Sequence, residues 1–331
     1  MCPPPDLGPV CVVGAGVAGL CVAVALAERG HPVTVYEQAT TLGAETCSWL
    51  AGGMLAPYCE AESAEPLVCE RGLRALPWWA ERIDGVVRNG SLVVSTQRDL
   101  PDLRLFEART SHAERLNEAG LARLESALAG RFQHGLWYGA EAHLDPRRAL
   151  PALADIVRRH GGQIVLGQAM DAARAPCRVA IDCRGLAAQD RLPNLRGVRG
   201  EMLVLKSRDV RLARPVRLLH PRHRMYVVPR ADGLFMVGAT ALESEDRGAP
   251  TARALGELLQ AASTLHPGFL EAEVVEFRAG VRPAFSDNLP AIGRLGRTYY
   301  LNGLYRHGFL LAPWYAETLV ERIEQDSREA A

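Results

Sequence analysis

Three glycines and one carboxylate carry the first chemistry legible in this chain. Gly14, Gly16 and Gly19 fall at GxGxxG spacing directly after the apolar run Val10, Cys11, Val12 and Val13, and Glu37 closes the next apolar run, PVTVYE, about 20 residues on. The pattern reads as strand, tight turn, helix and second strand ending in an acid. Gly14 permits the turn, Gly16 leaves a backbone amide open to a pyrophosphate, and Gly19 lets the helix lie close on the sheet. Ala15, Val17 and Ala18 complete a stretch whose amides and helix dipole favour an anion. Glu37 is expected to accept the ribose hydroxyls, with Gln38 beside it. The chemistry is dinucleotide binding, and the motif does not by itself separate FAD from NAD.

The elements that position this unit follow from composition. The helix after Gly19 is Ala-rich and Gly30 stops it. At 331 residues, with 48% hydrophobic and 23% charged side chains, the chain has room for two domains sharing a large interface. Lys plus Arg (38) equals Asp plus Glu (38), so nothing points to a polyanion and nucleic acid is not expected as a partner. The glycines interrupt the apolar run, and the MCPPPDLGP start carries no basic region, so the stretch reads as buried strand and helix rather than a signal peptide or a membrane span. Eight cysteines without a CxxC pair suit reduced thiols in a cytoplasmic protein. The nine histidines show no metal spacing, and His220 and His223 read as surface residues.

Further along, 66–83 reads as a helix interrupted at Pro77, 91–96 as a strand, and 111–129 as a polar helical segment. Asp145 caps a helix with Pro146 at its first position, an apolar stripe of Leu150, Leu153, Ala154 and Val157, and Gly161 as its stop. Residues 163–166 and 178–183 read as strands returning to the nucleotide sheet. Strands at 200–206, 225–230 and 234–240, the last two joined by an Ala231-Asp232-Gly233 turn, suggest an antiparallel sheet in a second domain. Arg208, Arg211, Arg214, Arg217, Arg222 and Arg224 form a basic run read as a solvated sheet edge, with an acidic docking partner as the lesser alternative. One more helix is expected at 253–265. The expected fold is α/β: a Rossmann-like domain with a mostly parallel sheet (1–78, 141–197 and 277–331) and an α+β substrate domain with a largely antiparallel sheet (79–140 and 198–276).

Residues 43–60, GAETCSWLAGGMLAPYCE, are rich in small side chains, as suits backbone lying close to a flat group. GxGxxG with its acid, then SWLAGGMLAP, YVVPRADGLFMVGAT from Tyr226, AGVRPAFSDNLPAIG from Ala279 and NGLYRHGFLLAP from Asn302 resemble the FAD-dependent amine oxidases of the D-amino-acid oxidase group, most closely the glycine oxidases of thiamin biosynthesis. The blocks span nearly the whole chain in the family's order. The resemblance implies FAD as cofactor, with Cys47, Ser48, Gly52, Gly53 and Met54 along the flavin and Met170, Tyr305, Arg306, His307, Gly308, Phe309 and Leu310 completing its site.

An amino acid oxidase must hold the substrate carboxylate and set the α-carbon against the flavin. An arginine fork suits the first task. Arg282 is the candidate, at the end of an extended run 276–282 that Pro283 keeps extended. Read without the family it would be an ordinary structural ion pair. The resemblance also places Tyr226 facing the substrate and gives Arg306 a contact to substrate or flavin. Tyr226 shares one strand face with Val228, while Met225 and Val227 take the other. The 304–308 turn leads into an apolar helix whose amides suit negative charge on a reduced flavin, and His307 reads as structural. Ala241, where relatives can carry methionine, and Arg224, where a histidine can occur, alter the pocket's size and polarity. The expected reaction converts glycine or a similar small amine, with molecular oxygen, to imine, oxo acid, ammonia and hydrogen peroxide. The alternatives are a D-amino-acid or sarcosine-type oxidase, an NAD-linked dehydrogenase, or a flavoprotein without turnover that acts as a binding module. A homo-oligomer is compatible with all of these.

Overall fold

The computed structural model describes residues 5–220 and 225–330. Six strands form one sheet in the order β16 (Ala291–Leu295), β17 (Thr298–Asn302), β9 (Val179–Asp182), β1 (Val10–Val13), β2 (Val33–Tyr36) and β8 (Gln163–Val165). All neighbours run parallel except β16 against β17. β1 is buried along its whole length, as an apolar run without alternation requires. Helix α1 (Val17–Glu28) is apolar and buried on nearly every side because α7 (Pro146–Arg159) and α9 (Gly308–Glu329) pack against it on the sheet. Asp145 caps α7 as expected, its carboxylate accepting from the Arg147 amide at 2.9 Å.

A larger sheet runs β14 (Leu242–Glu243), β10 (Arg196–Lys206), β13 (Leu234–Gly238), β12 (Met225–Pro229), β11 (Val216–Leu219), β4 (Ser91–Ser95), β6 (His134–Tyr138) and β5 (Glu114–Asn117). Its other edge is β15 (Glu273–Ala284), paired along β10. Every pair in it is antiparallel except β11 with β4. One face packs on α8 (Ala252–Leu265) through Leu258, Ala261, Ala262 and Leu265. The opposite face, carrying Met202, Tyr226, Val228 and Met236, turns toward the smaller sheet. A two-stranded ribbon, β3 (Met54–Leu55) with β7 (Ala142–His143), joins the two layers. The mixed α/β architecture matches the expectation, and the chain crosses between the sheets several times.

Three local expectations need correction. The break in 66–83 lies at Leu73 and Arg74, between α3 (Pro66–Gly72) and α4 (Ala75–Arg82). Pro77 falls in the first turn of α4, where a missing N–H costs nothing. The 111–129 segment is not one helix. β5 pairs with β6, Asn117 then accepts from the Gly120 amide at 2.9 Å, and α6 (Glu118–Leu124) starts there. Tertiary pairing outweighs local helix propensity at that point. Finally, β15 continues through Pro283, which is tolerated because β15 is an edge strand. The remaining short helices are α2 (Pro57–Glu60) and α5 (Leu100–Arg109).

Candidate active site

A cavity of about 920 Å³ runs from the C-terminal ends of β1 and β2 to the face of the larger sheet that carries Met202, Tyr226 and Met236. The turn after β1 is built as the spacing requires. Gly14 has φ +103°, and a Cβ there would stand 2.6 Å from the Cys183 carbonyl oxygen; one at Gly19 would stand 1.9 Å from the Gly14 oxygen. Neither position has room for a side chain. Gly16, Val17 and Ala18 line the cavity at the start of α1, while Ala15 and Gly19 are tucked behind the turn. Ser48 reaches across to accept from the Val17 amide at 3.1 Å, so its hydroxyl fixes the small-residue loop to the helix N-terminus.

Glu37 is buried, and its two oxygens accept from the Ala15 amide (2.8 Å) and the Ala39 amide (3.1 Å). Its carboxylate therefore also holds the glycine turn, a role the spacing does not reveal. Gln38, Tyr36 and Met170 line the same end.

In the middle of the cavity the loop 47–54 passes beneath the larger sheet, with Cys47, Ser48, Gly52, Gly53 and Met54 on its wall. A Cβ on Gly52 would stand 2.7 Å from the Tyr226 ring, and one on Gly53 (φ +68°) 2.2 Å from the Leu144 oxygen. Arg230 clamps this loop, donating to the Gly52 oxygen at 2.6 Å and the Leu144 oxygen at 3.0 Å. Burial lowers its pKa to about 10, partly offset by Asp145, so it stays cationic at neutral pH. Sequence reasoning missed Arg230; its only signal is its place at the end of the YVVPR strand. Burial raises the Cys47 thiol, opposed by Arg282.

Opposite the loop stands Arg282. Its guanidinium lies over Gly200, where a Cβ would come within 2.2 Å of Nη2, and it donates to the Thr240 oxygen at 3.1 Å. Among the described residues no carboxylate pairs with it, so the structural ion pair is not what the fold makes of this arginine. Tyr226 and Ala241 share the same wall.

The last block closes the far side. Tyr305 adopts φ +48° and its amide donates to the Pro283 oxygen, tying this turn to the strand that carries Arg282. Gly308, Phe309 and Leu310, the first turn of α9, line the cavity with amides that have no partner within the helix. Arg306 also lines it, but its guanidinium is engaged by Glu60 (3.1 Å) and the Ser63 hydroxyl (2.7 Å). His307 is buried with Nδ1 3.4 Å from Glu60. Burial, with Arg306 and Arg217, lowers its pKa to about 4 despite Glu60. Burial pushes Glu60 up, but Arg306 and Arg217 outweigh it and hold the carboxyl well below the usual range.

The basic run is where the sequence misled most. Arg208 and Arg211 are exposed, yet Arg214 pairs with Glu125 (2.9 Å) and Arg217 with Glu60 (2.6 Å), both largely buried, so the solvated-edge reading fails for them. His220 is half-buried just past β11. Arg222, His223 and Arg224 lie outside the described residues.

The two helix N-termini, the glycine turn and the buried acid fit an extended dinucleotide, and the cavity volume sits at the upper end for a ligand site. Among the described residues no helix is long and apolar enough to cross a membrane, and no group of three or more His, Cys, Asp or Glu is placed to hold a metal. A family model described as FAD-dependent oxidoreductase matches residues 9–322. The chain is 52% identical to the putative thiamine biosynthesis oxidoreductase ThiO of Rhizobium etli, over 95% of this chain and 96% of that one. It is 28% identical to the bifunctional protein ThiO/ThiG of Trichormus variabilis, over 96% of this chain but only 53% of that protein's length. The crystal structure of glycine oxidase from Geobacillus kaustophilus superposes with a TM-score of 0.80 at 23% identity, covering 96% of this chain and 95% of that one. The flavin reading thus prevails over the NAD-linked one, and the chain belongs to the FAD-dependent oxidoreductase family.

Proposed function

We propose that this enzyme oxidises glycine and similarly small amines, and that the imine feeds thiamine biosynthesis. The observation that carries the reading is Arg282, a guanidinium without a carboxylate partner among the described residues, laid flat on Gly200 beside Tyr226. It offers a planar fork to one substrate carboxylate. Tyr226 stands over Gly52 with its phenol toward the same space, suited to a second hydrogen bond. These contacts fix the carboxylate and thereby aim the α-carbon at the loop 47–54. FAD held along that loop by the 47–54 backbone, the glycine turn and the α9 amides would supply the redox chemistry, a two-electron oxidation of the amine with oxygen as the final acceptor. The α9 amides favour negative charge at their end of the cavity. His307 stays neutral and buried, consistent with a structural role, while the Glu60 carboxylate holds Arg306 in place.

Ala241 in place of a larger side chain leaves room for sarcosine or small D-amino acids. The division into the two discontinuous domains, the cytoplasmic location and a homo-oligomeric state belong to the same proposal; seven free cysteines among the described residues suit a reducing compartment. Anaerobic addition of glycine to the yellow holoenzyme tests the reading: bleaching supports it. A spectrum unchanged by glycine, sarcosine and small D-amino acids, with no peroxide formed in air, refutes it.

A further inference from the structure

The cavity does not end at Tyr226. Arg217 on β11 is the register partner of Tyr226 on β12, so the two side chains stand side by side on the cavity face, while Val216 and Leu218 turn into the opposite core. Arg217 is only 12% exposed. One of its nitrogens donates to Glu60 at 2.6 Å, and its guanidinium lies 5.8 Å from the centre of the Phe106 ring. Its Nε is buried and has no hydrogen-bond partner. An orphaned N–H on a buried guanidinium is costly unless something accepts from it.

Glu60 is shared at this end, one carboxylate oxygen facing Arg217 and the other Arg306. The buried Glu141 also acts on Arg217, but burial raises its carboxyl to about 7, and the buried His307 is held neutral by its surroundings. Glycine, with its single carboxylate at Arg282, leaves the Arg217 Nε unanswered.

We propose that Arg217 forms a second anion subsite, so that the cavity takes amines bearing two carboxylates, one on Arg282 and the other on Arg217. This rests on the oxidase reading above and specifies its substrate class. The span suits such a molecule. One row of paired residues crosses the sheet from Met202 through Gly238 and Tyr226 to Arg217, and the Arg282 guanidinium lies over Gly200, two residues from Met202. Three strand spacings of about 4.8 Å put Met202 and Arg217 on the order of 14 Å apart at the backbone, a distance to be covered by the two arginine side chains together with a diacid that has about three or four atoms between its carboxylates. Phe106 and Leu219 supply apolar wall beside the second carboxylate.

The test compares kcat/KM of the holoenzyme for glycine, sarcosine, D-glutamate and iminodiacetate by peroxide formation, together with the competitive inhibition constants of glutarate and butyrate. In the wild type, glutarate should inhibit about tenfold or more tightly than butyrate, and at least one diacid amine should be preferred to sarcosine. Arg217→Met should collapse the diacid-to-glycine ratio about tenfold or more; Arg217→Lys, which keeps the charge near Glu60 but lacks Nε, should lower it less. Equal inhibition by glutarate and butyrate overturns the proposal without recourse to any variant, as does a ratio unchanged in Arg217→Met. Glycine turnover without any diacid preference sinks the subsite alone. Diacid turnover without glycine turnover sinks the glycine reading and leaves the subsite standing.

Discussion

Arg282→Met separates binding of the substrate carboxylate from everything else in the site. Arg282 makes one hydrogen bond, to the Thr240 oxygen at 3.1 Å, and pairs with no carboxylate among the described residues, so its removal strands no buried anion in the protein. Folding should suffer by about 1.5–3 kcal/mol at most, the worth of one hydrogen bond from a charged donor. A bound substrate carboxylate, by contrast, loses its whole counter-charge. Truncating one member of a desolvated, hydrogen-bonded charge pair costs about 2–5 kcal/mol, which is roughly a 30- to 5,000-fold fall in kcat/KM. The loss should appear chiefly in KM, because the carboxylate is held in the ground state as well as in the transition state. Arg282→Lys keeps the charge but not the fork that lies flat on Gly200, and should fall in between, about 5- to 30-fold down. Steady-state kinetics by oxygen consumption reads these numbers, and the flavin absorbance confirms that the cofactor remains bound. If Arg282→Met kept kcat/KM within about threefold of the wild type, the carboxylate would be docking elsewhere.

Gly19→Ala places a methyl 1.9 Å from the Gly14 oxygen, an overlap between backbones that cannot yield, so the variant should purify without flavin or not fold; a yellow, active Gly19→Ala protein would refute the account of the turn. Arg230→Met leaves the Gly52 and Leu144 carbonyls without their donor and should cost about 2–4 kcal/mol in stability with weaker flavin retention, read by thermal melting and by flavin release; an unchanged melting temperature would count against the clamp. Burial raises the Glu141 carboxyl from its usual 4.5 to about 7, despite the Cys59 amide donating to it, so it favours the fold most below pH 4.5 and loses that contribution as pH rises through 7. Glu141→Gln should therefore lose stability relative to wild type at pH 4.5 and close the gap toward pH 8. His307 and His143, both lowered to about 4, favour the fold in the opposite sense, their contribution disappearing as pH falls from 6.5 through 4; they are common to both proteins, so a difference that stayed flat with pH would be a failure of the Glu141 assignment alone.

What the sequence discloses and what it hides divide along physical lines. The glycine turn, the Asp145 cap and the strand alternation at Tyr226 are local: each depends on neighbours within a few positions, where steric rules and periodicity act. Glu37 shows the boundary. Its distance from the glycines announces a nucleotide acid, yet its bonds to the Ala15 and Ala39 amides emerge only when β1 and β2 lie side by side. Arg217 lies fully beyond it. Six arginines between 208 and 224 look like a hydrophilic edge because nothing nearby in sequence answers their charge, whereas Glu60 and Glu125 answer two of them from 157 and 89 residues away. Burying a cation there is tolerable only because those carboxylates arrive from α2 and from the turn after α6. The same long-range pairing explains why Arg282 reads locally as one more ion-pair arginine. Its distinction is the partner it lacks, and that becomes visible only once Gly200, Thr240 and Tyr226 have been folded around it. A binding cation in this chain is therefore recognised by subtraction: of the arginines facing the cavity, the ones to test first are those with a guanidinium N–H that the protein itself leaves unanswered.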